Sequence, residues 1–245
     1  MKLSKVYPAI LLVFVGYALS AQRIDLTTQA EVDAWDQSIT VLSERVFISG
    51  DDITNIDAFS NITEVSGILD IRRSDNLLDI NGLSSLELIS GTVEIINNNA
   101  LTNVDGLSSL TTLSSDLIGG RGLTIQSNNL LVNIDGLSNL SVVDESLRVS
   151  LNDILPNVDG LLGISEVNGR IDINGNKKLI SIEGLTNINE LDGLIRITDN
   201  NILAECCILS FLTEEFPDNV IIAVSYTHLR AHETPEHLVC SLLLE

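Results

Sequence analysis

The chain has 245 residues, with 13 Lys and Arg against 34 Asp and Glu, a formal net charge of −21. That balance argues against nucleic-acid binding, because phosphate recognition needs clustered cations. Apolar residues make up 44% but aromatics only 4%, so Leu, Ile and Val must carry the core, which suits a regular stack of small coils better than a mixed globular interior.

Residues 1–21 read as a signal peptide. Lys2 and Lys5 open it, residues 8–18 are its apolar run, and Ala18-Leu19-Ser20-Ala21 is its small-residue exit. A membrane anchor is the other reading, but that run is short of the ~20 residues a span needs. The expectation is export to the cell surface or beyond, with no membrane span after cleavage.

Residues 22–48 are expected to form an N-terminal cap. Thr28-Gln29-Ala30-Glu31 is a capping-box pattern. It predicts a short helix from Gln29 to about Asp36, with Val32 and Trp35 facing inward. Val46 and Ile48 resemble a first strand.

Residues 49–202 are periodic. Ile53, Leu77, Leu101, Leu131, Leu155, Leu179 and Leu203 are anchors 24 residues apart, except for one six-residue insertion around residues 117–121 of the third coil. Apolar residues recur at offsets three, six, nine, twelve, sixteen and eighteen from each anchor. A step of two is strand-like. A step of three fits a chain turning round a polygonal coil. One coil could not fold alone, but about six stacked coils could. Offset twenty-one is Ser74, Asn98, Asn128, Asn152, Asn176 and Asn200, an asparagine corner expected to bond neighbouring coils through both amide and carbonyl.

Asp57, Asn81, Asp105, Asp135, Asp159 and Glu183 form a second polar row, mostly followed by Gly. Asp is expected to cap a turn there and Gly to accept a positive φ. Stacked carboxylates could instead recruit Ca²⁺, although that ion needs six to eight oxygens and no dense acidic loop is present.

The outward row at offset seventeen is Asp70, Glu94, Thr124, Arg148, Asp172 and Arg196. Arg148, Asp172 and Arg196 could pair across strands. With Arg170 and the insertion loop they form the most varied face and are the candidate ligand-binding residues, the alternative being plain solvated surface.

Residues 203–223 are expected to be a truncated C-terminal helical cap. Cys206 and Cys207 are adjacent there, and vicinal cysteines rarely bond to each other. Each is a disulfide candidate with a partner beyond the end of the sequence, or else a buried thiol. From residue 224 the text breaks the repeat and holds His228, His232, His237 and Cys240. A metal site is rejected, because VSYTHLRAHET resembles a translated sequencing adapter; residues 224–245 are therefore expected to be an artefact.

The coil L-x-x-[IV]-[DN]-G-L-x-x-L-x-x-[VIL]-x-G-x-[LVI]-x-I-x-x-N resembles the receptor L-domain family, and the opening Thr28-Gln29-Ala30-Glu31-Val32-Asp33-Ala34-Trp35 is similar to that of its exported bacterial members. The resemblance implies an all-β, right-handed parallel β-helix, with a horseshoe leucine-rich repeat as the other fold. Glu145 departs from the repeat where other coils have Gly. The family implies a non-enzymatic binding or adhesion module for an unknown protein or glycan, with no cofactor. A structural spacer for a further domain and a polysaccharide-active enzyme are the other readings. The enzyme reading has the weaker support, since the carboxylates lie in spaced rows and no His precedes residue 224.

Overall fold

The computed structural model describes residues 23–114, 122–203, 212 and 214–223. The leader, the insertion at 117–121, Cys206, Cys207 and the tail at 224–245 lie outside the described residues.

Two parallel sheets run the length of the stack. The wide sheet has nine strands, Arg23–Leu26, Arg45–Ile48, Ile68–Arg72, Thr92–Ile96, Gly122–Gln126, Ser146–Ser150, Arg170–Asn174, Leu194–Thr198 and Val220–Ala223, in chain order. The narrow sheet has seven two-residue strands, one per turn of the chain from Val41–Leu42 to Glu190–Leu191. Equivalent residues of successive coils pair, as in Leu69↔Val93 and Ile171↔Ile195. The chain is thus an all-β solenoid of stacked parallel coils.

The seven apolar offsets all point inward. In the fourth coil Leu131, Ile134, Leu137, Leu140, Val143, Leu147 and Val149 are all fully buried. Each such side chain contributes roughly 1.5–3 kcal/mol before conformational entropy is subtracted. The step of three has a direct cause in the backbone. Leu131, Leu137 and Leu140 each donate an N–H to the carbonyl three residues earlier, at 2.9–3.0 Å. Asp135–Leu137 and its counterparts are 3-10 turns, whose pitch of about three residues returns every third side chain to the same face.

The second polar row works differently from the expectation. Its glycines do not have positive φ; the described glycines that do are Gly122 and Gly175. A Cβ on Gly136 would lie 2.0 Å from the Val104 carbonyl oxygen of the coil beneath, and one on Gly160 1.9 Å from that of Ile134. Glycine is required there because two backbones nearly touch. Ala58 is tolerated in the first coil, where the underlying layer is the N-terminal helix. The acidic residue is not the cap either. The residue two before it is: Asn103 Oδ1 accepts from Asp105 N at 3.1 Å, and Asn133 Oδ1 from Asp135 N at 3.1 Å.

The asparagine corner forms as expected. Asn152 Oδ1 accepts from Asn128 N at 3.0 Å, and Asn152 Nδ2 donates to the Ile125 carbonyl at 3.1 Å. Asn98, Asn128, Asn176 and Asn200 repeat both bonds at 2.9–3.1 Å, and all are buried. Ahead of the corner the chain enters the left-handed region at Arg73, Asn97, Ser127, Leu151, Gly175 and Asp199. That kink turns the strand end so the next residue can aim inward.

Both caps differ in extent from the reading of the sequence. The helix is Gln29–Asp33, shorter than the span to Asp36, although its capping box of Thr28 and Glu31 is present. One turn suffices to bury Val32 and to stack Trp35 on Phe59, with ring centroids 4.7 Å apart. Arg23–Leu26, ahead of that helix, is already a strand of the wide sheet. At the other end Leu212 and residues 214–215 are helical, but Val220–Ala223 returns as a strand beside Leu194–Thr198. Neither terminal strand carries the 24-residue signature.

Candidate ligand-binding face

Alternation along each strand of the wide sheet sends one set of side chains to the core and the other outward. The outward set holds Arg23, Arg45, Arg72, Arg148, Arg170 and Arg196, six of the 13 cations in the chain. An acidic protein therefore gathers its arginines on one surface.

The two halves of that surface differ. In the N-terminal half the charges are matched. Arg23 pairs with Asp25 at 2.8 Å and lies over the Phe47 ring, 4.2 Å from its centroid. Arg72 pairs with Asp70 and reaches Glu94 at 2.9 Å. The Asp70 hydrogen bond holds the Arg72 pKa above its ordinary value. Three arginines there face three carboxylates, Asp25, Asp70 and Glu94.

The C-terminal half is unbalanced. Arg148, Asp172 and Arg196 lie side by side on adjacent strands, in the predicted register. Arg148 Nη2 reaches Asp172 Oδ2 at 3.4 Å. Arg170, on the same strand as Asp172, donates from Nη2 to Oδ1 at 3.0 Å. Its Nε lies 2.8 Å from Oδ2 without forming a hydrogen bond, so that contact is ionic. Arg196 does not complete the predicted trio; it forms no ion pair among the described residues. One carboxylate thus serves two guanidiniums while a third stands by.

The outward row is not uniformly open to solvent. Asp70 and Asp172 are each 1% exposed, and Thr124 is buried too. These short side chains sit in a trough roofed by their longer neighbours. Arg148 and Arg170 keep 44% and 40% of their side-chain surface open over the sunken Asp172.

Two further groups had no signal in the repeat. Thr198 projects outward two residues after Arg196, 7% exposed, and its Oγ1 has no hydrogen-bond partner among the described residues. Asn174, its neighbour in register, makes no side-chain hydrogen bond among the described residues. A polar atom left this way inside a sheet face is uncommon. The acidic turn row, by contrast, is mostly exposed, and among the described residues no three His, Cys, Asp or Glu side chains converge as metal ligands.

Residues 39–142 fit the family model for the receptor L domain. No curated protein and no solved structure matches the chain.

Proposed function

We propose, from the receptor L-domain-like character of the solenoid, that the chain is a non-enzymatic binding or adhesion module. In this reading it is exported to the cell surface or beyond and offers the C-terminal half of the wide sheet to a protein or glycan ligand. The family is one of ligand-binding domains, not of enzymes. The observation that carries the choice of face is the gathering of Arg148, Arg170 and Arg196 round one buried carboxylate in a chain of net charge −21. Regular positions elsewhere are consumed by stacking, so specificity falls to the irregular outward ones.

Export rests on the leader-like residues 1–21 and on the extracellular setting typical of receptor L domains. Among the described residues no helix is long and apolar enough to cross a membrane. Residues 224–245 have no part in this reading, and genomic sequence past Ala223 would show what belongs there.

A mixed array of glycans and extracellular proteins tests the reading. A binder of either class should lose affinity when Gln126→Trp places a bulky ring beside the arginines. Binders indifferent to that change would move the site elsewhere, and catalytic turnover of an arrayed polysaccharide would overturn the module as a whole.

A further inference from the structure

We propose that the C-terminal half of the wide sheet binds an acidic glycan, with Arg196 as the guanidinium that takes its carboxylate and Thr198 and Asn174 as partners for its hydroxyls. The inference rests on the binding face proposed above and names its ligand class.

Three observations converge. Guanidiniums outnumber carboxylates three to one in this half, and Arg196 has no ion pair among the described residues, whereas every acid of the patch is already engaged. A guanidinium presents a planar fork that fits a carboxylate with two parallel hydrogen bonds. Beside it Thr198 is 7% exposed and its hydroxyl has no partner among the described residues, and the Asn174 amide lies next to it in register. A ligand that brings hydroxyls as well as charge satisfies both.

The composition of the patch separates a glycan from an acidic peptide. Protein interfaces combine arginines with aromatic side chains packed into pockets. No aromatic residue lies on the strands Ser146–Ser150, Arg170–Asn174 or Leu194–Thr198. The outward ring of the sheet, Phe47, is at the far end and already covered by Arg23. Charge density points the same way. The face is a small positive island in a chain of net charge −21, so a ligand with a negative group on every residue is repelled by its surroundings. Carboxylates spaced along a neutral, hydroxylated backbone fit better.

Isothermal titration of the purified chain with hyaluronan oligomers, whose carboxylates alternate with neutral sugars, tests this, with neutral dextran and a poly-glutamate peptide as the other arms. Hyaluronan should bind and weaken as salt screens the pairing, and dextran should not bind. Arg196→Gln should cut the affinity about tenfold, the loss expected for one charge-assisted contact, and Thr198→Val should reduce it by a smaller factor. Arg45→Gln, at an arginine of the N-terminal half with no ion pair among the described residues, should leave it unchanged. Equal losses from Arg45→Gln and Arg196→Gln would mean diffuse polyanion attraction and overturn the proposal. Poly-glutamate binding as tightly, with the same dependence on Arg196, would overturn the glycan while keeping the face. Failure of all three probes would overturn the glycan too, and the array result would then decide the fate of the face itself.

Discussion

The asparagine corner and the outward face of the wide sheet are carried by the same strands, a few residues apart, and obey opposite rules. At the corner five of the six coils repeat the same asparagine and the same two bonds, so the polar groups of one coil are consumed by the next. On the face, neighbouring strands present different residues. Some meet partners, as Arg72 does, and others, such as Arg196 and Thr198, meet none among the described residues. Repetition satisfies polar groups and so builds stability; departure from it leaves groups free to meet something else.

Substitutions at the two places should therefore separate cleanly. Asn152→Ala strands two buried backbone groups, the Asn128 N–H and the Ile125 carbonyl. It should cost about 4 kcal/mol in a urea melt, since each unsatisfied group costs roughly 1–3 kcal/mol. A loss under 1 kcal/mol would mean that water replaces the amide. Gly136→Ala drives a Cβ onto the Val104 carbonyl and should cost about 2 kcal/mol through overpacking. The natural Ala58 of the first coil provides the control, because Ala58→Gly should change the same melt by less than ~1 kcal/mol.

On the face the effects should be smaller and uneven. Arg170→Ala leaves the buried Asp172 with only the distant Arg148. It should destabilise by about 1 kcal/mol, discounted from the value for a fully buried pair because both guanidiniums reach solvent. Arg196→Gln should fall within about 0.5 kcal/mol. Equal stability losses for Arg170 and Arg196 would erase the distinction between a structural arginine and a free one.

Glu145 sharpens the comparison further, since it breaks the row of Gly67, Gly91, Gly169 and Gly193. Burial, with Asp144 beside it, holds its carboxyl above the ordinary 4.5. The folded state therefore favours the protonated form, and the associated stability is lost as pH rises through the folded pKa. Glu145→Gln should raise Tm at neutral pH, with the gain fading below pH 4.5. A gain that is constant with pH would trace to packing instead. The smallest effect concerns the acidic turn row: EDTA should leave Tm unchanged. A fall restored by Ca²⁺ would give that row a metal.

Much of the coil was legible because the repeat supplies the same information six times. The seven apolar offsets, the asparagine bonds and the register of Arg148 with Asp172 follow from spacing alone. The role of Gly136 did not, because a close approach between coils and a left-handed turn both call for glycine, and only the distance to the next backbone tells them apart. The strands Arg23–Leu26 and Val220–Ala223 were hidden for another reason. Each occurs once, next to cap residues, with no second copy to set its phase. Asn103 and Asn133 were visible as residues, but their capping role depends on where the turn starts.

The sequence by itself determined that the chain winds into a stack of parallel coils and which side chains fill it, since apolar periodicity dictates burial whatever the detail of the turns. Only the tertiary structure decided what the outward row means. Alternation says that Asp172 and Arg196 point away from the core, but it cannot say that one sinks beneath two arginines while the other finds no ion pair among the described residues. That outcome depends on side-chain length and on the neighbours that stacking brings alongside, and it separates the groups that hold the face together from those left to meet a ligand.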